Sequence, residues 1–125
     1  MIVGVGTDIL QISRLRKAWV RTPKLAERIL TSDELALCTE AHDPALFLAK
    51  RFAAKEAVTK ALGTGIGRGV SWKHIEITKD SLGRPLVVLT LGAAERASSL
   101  NVANLHLSYS DEKDYIVAFV VAESS

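Results

Sequence analysis

Cysteine is almost absent from this sequence, since Cys38 is the only one among 125 residues. A lone cysteine excludes an internal disulfide and any zinc site built from several cysteines. No apolar run reaches the ~18 residues of a membrane span. The N-terminus has no basic stretch followed by an apolar one, so we expect no secretory signal. A cytoplasmic location is the default expectation for such a chain.

Net charge is also small, at +2 from 16 basic and 14 acidic residues, and it gives no reason to expect nucleic-acid binding. The basic residues are unevenly spread. Six of them lie in one 15-residue stretch that contains a single acid, Glu27: Arg14, Arg16, Lys17, Arg21, Lys24 and Arg28. This cluster is either a solvated helix face or a docking surface for an acidic partner, because clustered cations accelerate and orient association.

The length and the balance of 48% hydrophobic and 24% charged residues predict one folded domain, residues 1–125. The chain opens with a strand pattern over residues 2–9, in which Gly4, Gly6 and Asp8 share one face. Glycines leave space beside the Asp8 carboxylate, which suits a ligand site. The alternative is that Asp8 only caps the following helix.

A long helix is predicted to begin at Asp43-Pro44 and to end at Gly63, because Asp, Pro and Gly favour those positions. Within it Glu56 and Lys60 are four residues apart, a spacing that places both side chains on one face. Alanines border this stripe, so another backbone or a ligand can approach it closely. A shorter helix is predicted after Thr31, whose run of Ser, Asp and Glu is typical of a helix N-terminus.

The second half of the chain is predicted to be mainly β, with strands at residues 72–78, 86–91, 103–108 and 115–122 and a helix at 93–99. The last strand is apolar on both faces, so it is either central in a sheet or covered by another subunit. Asn104, His106 and Ser108 share one face of the strand before it. The whole pattern predicts an α+β fold, with a small, mainly antiparallel sheet packed against one long helix and shorter helices.

Four glycines follow the long helix, at positions 63, 65, 67 and 69, but they match neither the Walker A loop nor GxGxxG. Both of those motifs precede a helix, whereas a helix C-terminus carries partial negative charge and repels phosphate. An anion at this turn would therefore need the cations Lys60, Arg68 or Arg51. The alternative is a flexible turn without a ligand.

Asp8 and Glu56 are candidates for a magnesium site, because this ion takes one or two carboxylates and completes its octahedron with water and phosphate oxygens. The three histidines lack a zinc-binding pattern. No GxSxG segment is present, and Cys38 lacks a local catalytic signature. A covalent enzyme intermediate is therefore not indicated.

Three segments together resemble the bacterial holo-acyl-carrier-protein synthases, which are small 4'-phosphopantetheinyl transferases. They are GVGTDILQISR at 4–14, KRFAAKEAVTKALGTGI at 50–66 and HLSYSDEKDYIVAFVVAE at 106–123. The resemblance covers nearly the whole chain. It implies the phosphopantetheinyl transferase fold and transfer of 4'-phosphopantetheine from coenzyme A to a serine of apo acyl carrier protein, in fatty acid biosynthesis. Adenosine 3',5'-bisphosphate would be released, and magnesium would be required.

The resemblance also implies roles for individual residues. Asp8 and Glu56 match the metal-binding positions, and Lys60 matches the lysine near the coenzyme A pyrophosphate; Glu56 and Lys60 are the predicted catalytic residues. The predicted coenzyme A contacts are Arg51, Lys60, Gly63, Gly65 and His106. Members of the family are typically homotrimers with interfacial active sites, and the basic helix is expected to meet acidic acyl carrier protein through Arg14, Lys17 and Arg21.

The resemblance leaves the general base open among Glu56, a water held by Glu56 or by the metal, and His106. Many members have a second histidine where this chain has Asp111. Two other functions compete with the transferase. One is a magnesium-dependent enzyme that uses Asp8 and Glu56 on a pyrophosphate or nucleotide without a protein acceptor. The other is an inert oligomeric module that binds an acidic protein through its basic cluster.

Overall fold

The computed structural model describes residues 1–125, which form five strands and five helices. The strands are β1 (Ile2–Gln11), β2 (Ile75–Lys79), β3 (Pro85–Leu89), β4 (Val102–Asp111) and β5 (Tyr115–Ser124). The helices are α1 (Ile12–Arg21), α2 (Leu25–Ile29), α3 (Ser32–Glu40), α4 (Pro44–Ala61) and α5 (Leu91–Ser99). The predicted α+β class is confirmed. None of the helices combines the length and apolar content that a membrane crossing requires.

The main sheet has three antiparallel strands in the order β1-β5-β4, and β2 and β3 form a separate antiparallel pair. The apolar last strand is therefore central, as one of the two sequence interpretations predicted. One face of β5 is fully buried in the core, through Ile116, Ala118, Val120 and Ala122. On its other face Val117 and Phe119 are 42% and 45% exposed. The sheet thus has one core face and one apolar face open to solvent, here called the outer face.

Helix α4 packs on the core face of the sheet, and ten of its 18 residues are buried, so it is a core element rather than a surface helix. It approaches β1 so closely that a side chain at Gly4 would overlap the Ala61 carbonyl, and one at Gly6 the Ala57 carbonyl. The close approach of the β1 backbone to α4 therefore occurs at Ala57 and Ala61. It places the end of β1, with Asp8, beside the last turns of α4.

Local signals set most helix ends as predicted. Thr31 and Glu34 form a reciprocal capping box at the start of α3, and the Asp43 side chain accepts a hydrogen bond from the Leu46 amide at the start of α4. Gly63 follows α4 with a positive φ of 78°. Helix α1 has Gln11 as its N-cap, so Asp8 does not serve as its cap.

The predicted strand at 72–78 is partly wrong, because Trp72–His74 is a single 3-10 turn and β2 begins only at Ile75. The reason is local. The Ser71 amide donates to the His74 ring at 3.2 Å, and the Ser71 hydroxyl accepts from the Lys73 amide at 3.4 Å. Such side-chain to backbone bonds compete with strand pairing. The helix predicted at 93–99 begins two residues earlier, at Leu91.

Candidate active site

Asp8 and Lys60, which are 52 residues apart in sequence, meet at the edge of the main sheet. The Lys60 ammonium donates to Asp8 Oδ1 at 3.2 Å and to the Thr7 carbonyl at 2.9 Å. Asp8 is mostly buried, with 15% of its side chain exposed, whereas the Lys60 side chain is 52% exposed. The close packing of β1 on α4 therefore converts two distant sequence motifs into one ion pair that is open to solvent on one side.

Glu56 belongs to the same group, and it is half-buried rather than part of a fully exposed stripe. Its Oε2 accepts a hydrogen bond from the Trp72 indole nitrogen at 3.2 Å. Burial raises the pKa of Glu56 above its ordinary value, the indole hydrogen bond opposes this rise, the negative charge of Asp8 adds to it and Lys60 lowers it. The contribution of the Asp8 charge to the pKa of Glu56 places the two carboxylates in one electrostatic environment.

This donor set fits magnesium. Two hard carboxylates that repel each other gain from a cation between them, and magnesium uses few protein ligands and keeps water and phosphate oxygens in its remaining positions. No group of three or more His, Cys, Asp or Glu side chains is present that could form a closed metal cage. Asp8 and Glu56 could thus hold an ion that stays open to a phosphate-bearing substrate.

A cleft of about 600 Å³ runs from Asp8 along the junction of β1 with α1 and α2. Three cations of the basic cluster line it, namely Arg14, Lys17 and Arg21, together with apolar side chains that include Phe52. Arg16 is different, because its guanidinium is bound to both Asp43 carboxylate oxygens at 3.0 and 2.7 Å. The three residues predicted to bind a partner therefore adjoin the Asp8 site, while Arg16 helps hold α1 to the start of α4.

The predicted glycine turn follows Lys60 directly. Gly63 and Gly65 both have positive φ, 78° and 62°. A cation that the sequence reasoning missed lies beside them: Arg96 of α5 donates to the Leu62 carbonyl at 2.9 Å. It neutralises the negative end of α4, where a helix C-terminus is otherwise unfavourable for an anion. Nothing in the sequence spacing links Arg96 to this turn.

Arg51 does not join the carboxylate–lysine group within one chain. Its side chain is only 5% exposed, its Nε lies 3.6 Å from Glu34 Oε2, and its guanidinium stacks 4.5 Å above the Phe47 ring. Five residues separate Arg51 from Glu56, which places them on different faces of α4. A contact between Arg51 and coenzyme A therefore stays a prediction.

His106 is likewise apart from the group. It lies on the outer face of the sheet, with Asn104 and Ser108 as predicted, and its Nε2 is 3.0 Å from Glu123 Oε1. Asp8 faces α4 on the other side of the sheet. The predicted contact of His106 with coenzyme A therefore stays a prediction. Asp111, where many family members have histidine, forms an ion pair with Lys50 at 3.3 Å.

Comparison with known proteins identifies relatives over nearly the full chain. The model of a family described as the 4'-phosphopantetheinyl transferase superfamily matches residues 4–120. A holo-[acyl-carrier-protein] synthase from Shewanella denitrificans is 54% identical over 98% of this chain and 98% of its own length.

Two crystal structures extend the comparison to the fold. The holo-[acyl-carrier-protein] synthase from Neisseria meningitidis has a TM-score of 0.94 and 42% identity, covering 99% of this chain and 100% of that one. The Bacillus anthracis protein of the same name, in complex with CoA (3',5'-ADP), has a TM-score of 0.85 and 40% identity, covering 100% and 99%. The predicted fold is therefore confirmed.

Proposed function

This chain belongs to the 4'-phosphopantetheinyl transferase superfamily, and from that premise we propose the reaction of its site. The chain is a transferase that moves 4'-phosphopantetheine from coenzyme A to a serine hydroxyl of apo acyl carrier protein. It releases adenosine 3',5'-bisphosphate. The observation that carries this proposal is the grouping of Glu56 and Lys60 with Asp8, which itself lines a cleft together with three cations. Residues 1–125 act as one domain, in the cytoplasm and in fatty acid biosynthesis.

The chemistry needs no nucleophile from this chain, since the carrier serine attacks the β-phosphorus of coenzyme A. The bond from that phosphorus to the bridging oxygen breaks, and the electron pair leaves with the 5'-phosphate of the nucleotide. Lys60, exposed beside Asp8, stabilises the charge that develops there, because a preorganised cation acts most strongly where charge appears in the transition state. The Gly63–Gly65 turn, which follows Lys60, lies along the coenzyme A pyrophosphate.

Asp8 and Glu56 would hold a magnesium ion, which when bound would supply positive charge to the phosphoryl oxygens. The hydroxyl proton of the serine passes to Glu56, directly or through one water. Among the residues considered as the base, Glu56 alone lies in this site within one chain, since His106 is on the opposite face of the sheet. A water bound beside Glu56 would be the other acceptor of this proton.

The basic side chains of the cleft bind the acidic carrier protein. Arg14, Lys17 and Arg21 line the cleft that begins at Asp8, so a carrier bound to them would have its serine near the metal site. Clustered charges of this kind act mainly on association rate and orientation.

The outer face of the sheet supports a homotrimer. It exposes large apolar side chains on the neighbouring strands β1 and β5, and in a single chain these contact water. They are Val5, Ile9, Tyr115, Val117 and Phe119. Apolar patches of this kind are typical of protein interfaces. His106 lies on this same face, so association would carry it toward the Asp8 site of a neighbouring copy.

Mass spectrometry tests the activity directly. Apo acyl carrier protein is incubated with this protein, magnesium and coenzyme A, and a gain of one phosphopantetheine group on the carrier serine is expected. A carrier whose mass does not change would contradict the transferase. A parallel reaction without carrier measures release of adenosine 3',5'-bisphosphate, and release at full rate there would favour a pyrophosphate enzyme that needs no protein acceptor.

A further inference from the structure

Trp72 contacts Glu56, although it lies in a segment that has no role in the proposed reaction as described so far. Its indole nitrogen donates to Glu56 Oε2 at 3.2 Å, and its ring packs on Phe52 with the centroids 6.0 Å apart and the planes tilted by 43°. Phe52 and Glu56 are four residues apart and therefore share one face of α4. The indole thus spans one helical turn, with its apolar ring on Phe52 and its single donor on the carboxylate.

The 3-10 turn that carries Trp72 is itself fixed by its neighbours. The His74 carbonyl accepts a hydrogen bond from the Thr90 amide at 2.8 Å. Just before the turn, the Gly69 carbonyl lies so close to Gly92 that a side chain at Gly92 would overlap it. The start of α5 therefore clamps the glycine turn and Trp72 together. This leaves the indole little freedom to move away from Glu56.

The hydrogen bond from Trp72 is the only one that the Glu56 carboxylate makes. Lys60 instead binds Asp8 and the Thr7 carbonyl. A carboxylate held at one oxygen by a neutral donor keeps its negative charge and keeps the lone pairs of its second oxygen. A lysine in the same place would compete with a metal for that charge. The indole therefore orients Glu56 without weakening it as a ligand.

We propose that Trp72 is a positioning residue of the transfer reaction, whose indole N–H fixes the Glu56 carboxylate so that Oε1 faces the metal and the incoming hydroxyl. The inference rests on the proposed role of Glu56 as a magnesium ligand. Outer partners of metal ligands typically contribute about 10- to 100-fold in metal affinity or activity.

The test compares two tryptophan variants, since the chain has only two tryptophans. Trp72→Phe keeps an aromatic ring on Phe52 and removes the N–H. Trp19→Phe is the matched control, because the Trp19 indole donates to the Pro23 carbonyl at 3.2 Å, away from the site. We expect the affinity of the free protein for Mn²⁺, measured by electron paramagnetic resonance, to fall about 10-fold in Trp72→Phe and to be unchanged in Trp19→Phe.

Two further measurements separate positioning from a purely structural role. In Trp72→Phe the kcat should fall about 10-fold, while the KM for carrier protein and the thermal midpoint stay close to those of the unsubstituted protein. In Trp19→Phe the one remaining tryptophan is Trp72, so the indole fluorescence should change when Mg²⁺ is added without substrate. Trp72→Phe should show no such response.

Each outcome decides the inference. Equal Mn²⁺ affinity in Trp72→Phe and the unsubstituted protein would overturn it. Trp72 fluorescence that stays the same when Mg²⁺ is added would also overturn it. If Glu56→Gln binds Mn²⁺ as tightly as the unsubstituted protein, the error lies in the proposed metal site instead. If Trp72→Phe fails to fold, a benzothienylalanine at this position keeps the ring shape without the N–H, and its Mn²⁺ affinity gives the same decision.

Discussion

Lys55 and Glu56 are adjacent in α4, yet they belong to two opposite kinds of charged site. The Lys55 side chain is fully buried, and its ammonium binds Glu34 Oε1 at 2.5 Å and the Ile29 carbonyl at 2.7 Å. Glu56 is half-buried and accepts a single hydrogen bond, from Trp72. Consecutive helix positions point about 100° apart, so the Lys55 side chain faces the core and the Glu56 side chain faces Trp72 and the Asp8–Lys60 pair. The contrast lies in how much bonding capacity each residue has left for a ligand.

The Glu34 carboxylate, at the centre of the buried cluster, has little hydrogen-bonding capacity left for a ligand. Besides binding Lys55, it accepts hydrogen bonds from the backbone amides of Thr31 at 3.0 Å and Ile77 at 2.9 Å. The cluster thereby joins the start of α3, the middle of α4 and the middle of β2. Burial lowers the pKa of Lys55, and the charge of Glu34 opposes this change. A charge in such a place stabilises the fold only as long as its partner remains.

The largest expected effect comes from Glu56→Gln, which removes a charge from the open site. We expect kcat to fall by about 1000-fold, or about 4 kcal/mol in the barrier, because a preorganised electrostatic group is lost. The free energy of unfolding should be unchanged or higher, since burial and Asp8 disfavour the ionised form of Glu56. Carrier modification followed by mass spectrometry and urea unfolding measure the two quantities. A variant with near-normal kcat would contradict the role of Glu56.

The opposite result, a loss of stability, is expected for Lys55→Met in the buried cluster around Glu34. Removing one partner leaves the Glu34 charge buried, so the free energy of unfolding should fall by about 3 kcal/mol. Urea unfolding measures this loss. The double variant Glu34→Gln/Lys55→Met is the control, and it should be less destabilised than the sum of the two single variants. An additive result would show that the two charges do not depend on each other.

A smaller effect is expected for the cleft cations, which lie next to the open site but outside it. Arg14→Glu should raise the KM for carrier protein several-fold at low salt and lose this difference at high salt, with the KM for coenzyme A little changed. Arg84→Glu is the matched control, because it makes the same charge change in the exposed turn before β3. Equal rises in KM for both substrates would refute docking at Arg14.

The smallest effect is expected for the ion pair of Arg16 and Asp43, which lies on the surface and has no role in the proposed reaction. The Arg16 hydrogen bond lowers the pKa of Asp43 from its ordinary value of 3.8 to about 2. Stability from this pair is therefore present above about pH 4 and is lost as the pH falls toward 2. It should be below about 1 kcal/mol, because the pair is partly exposed. In thermal melts across this range Asp43→Asn, which keeps an N-cap side chain, should lose less stability than the unsubstituted protein.

The features predicted correctly depend on short stretches of chain. The cap at Asp43, the capping box at Thr31 and the positive φ at Gly63 are each set by residues within one turn of the helix end. The prediction of a strand at Trp72 is wrong, and it depended on the preference of aromatic residues for strands. The hydrogen bonds of Ser71 and His74 close a turn there instead. The partner of Trp72, Glu56, is 16 residues away, a separation that no periodicity reveals.

The residues of the candidate site likewise divide into those that short sequence spacing predicts and those that tertiary packing brings together. The spacing of Glu56 and Lys60 was enough to place both on one face of a helix, because helix geometry repeats every few residues. The meeting of Asp8 with Lys60 depended on Gly4 and Gly6, which let β1 approach the α4 backbone. Arg51 and His106, which the family resemblance grouped with these residues, lie elsewhere in the chain because burial and strand register control their direction.

From the sequence alone, local geometry determined the helix caps, the α+β class and the placement of Glu56 and Lys60 on one face of α4. Only the tertiary structure decided which of two adjacent charges, Lys55 or Glu56, would be saturated by partners and which would stay available to a ligand. The physical reason is that burial and hydrogen bonding depend on what packs against each face. Those neighbours, Glu34 for one and Trp72 for the other, come from parts of the chain 16 to 21 residues distant.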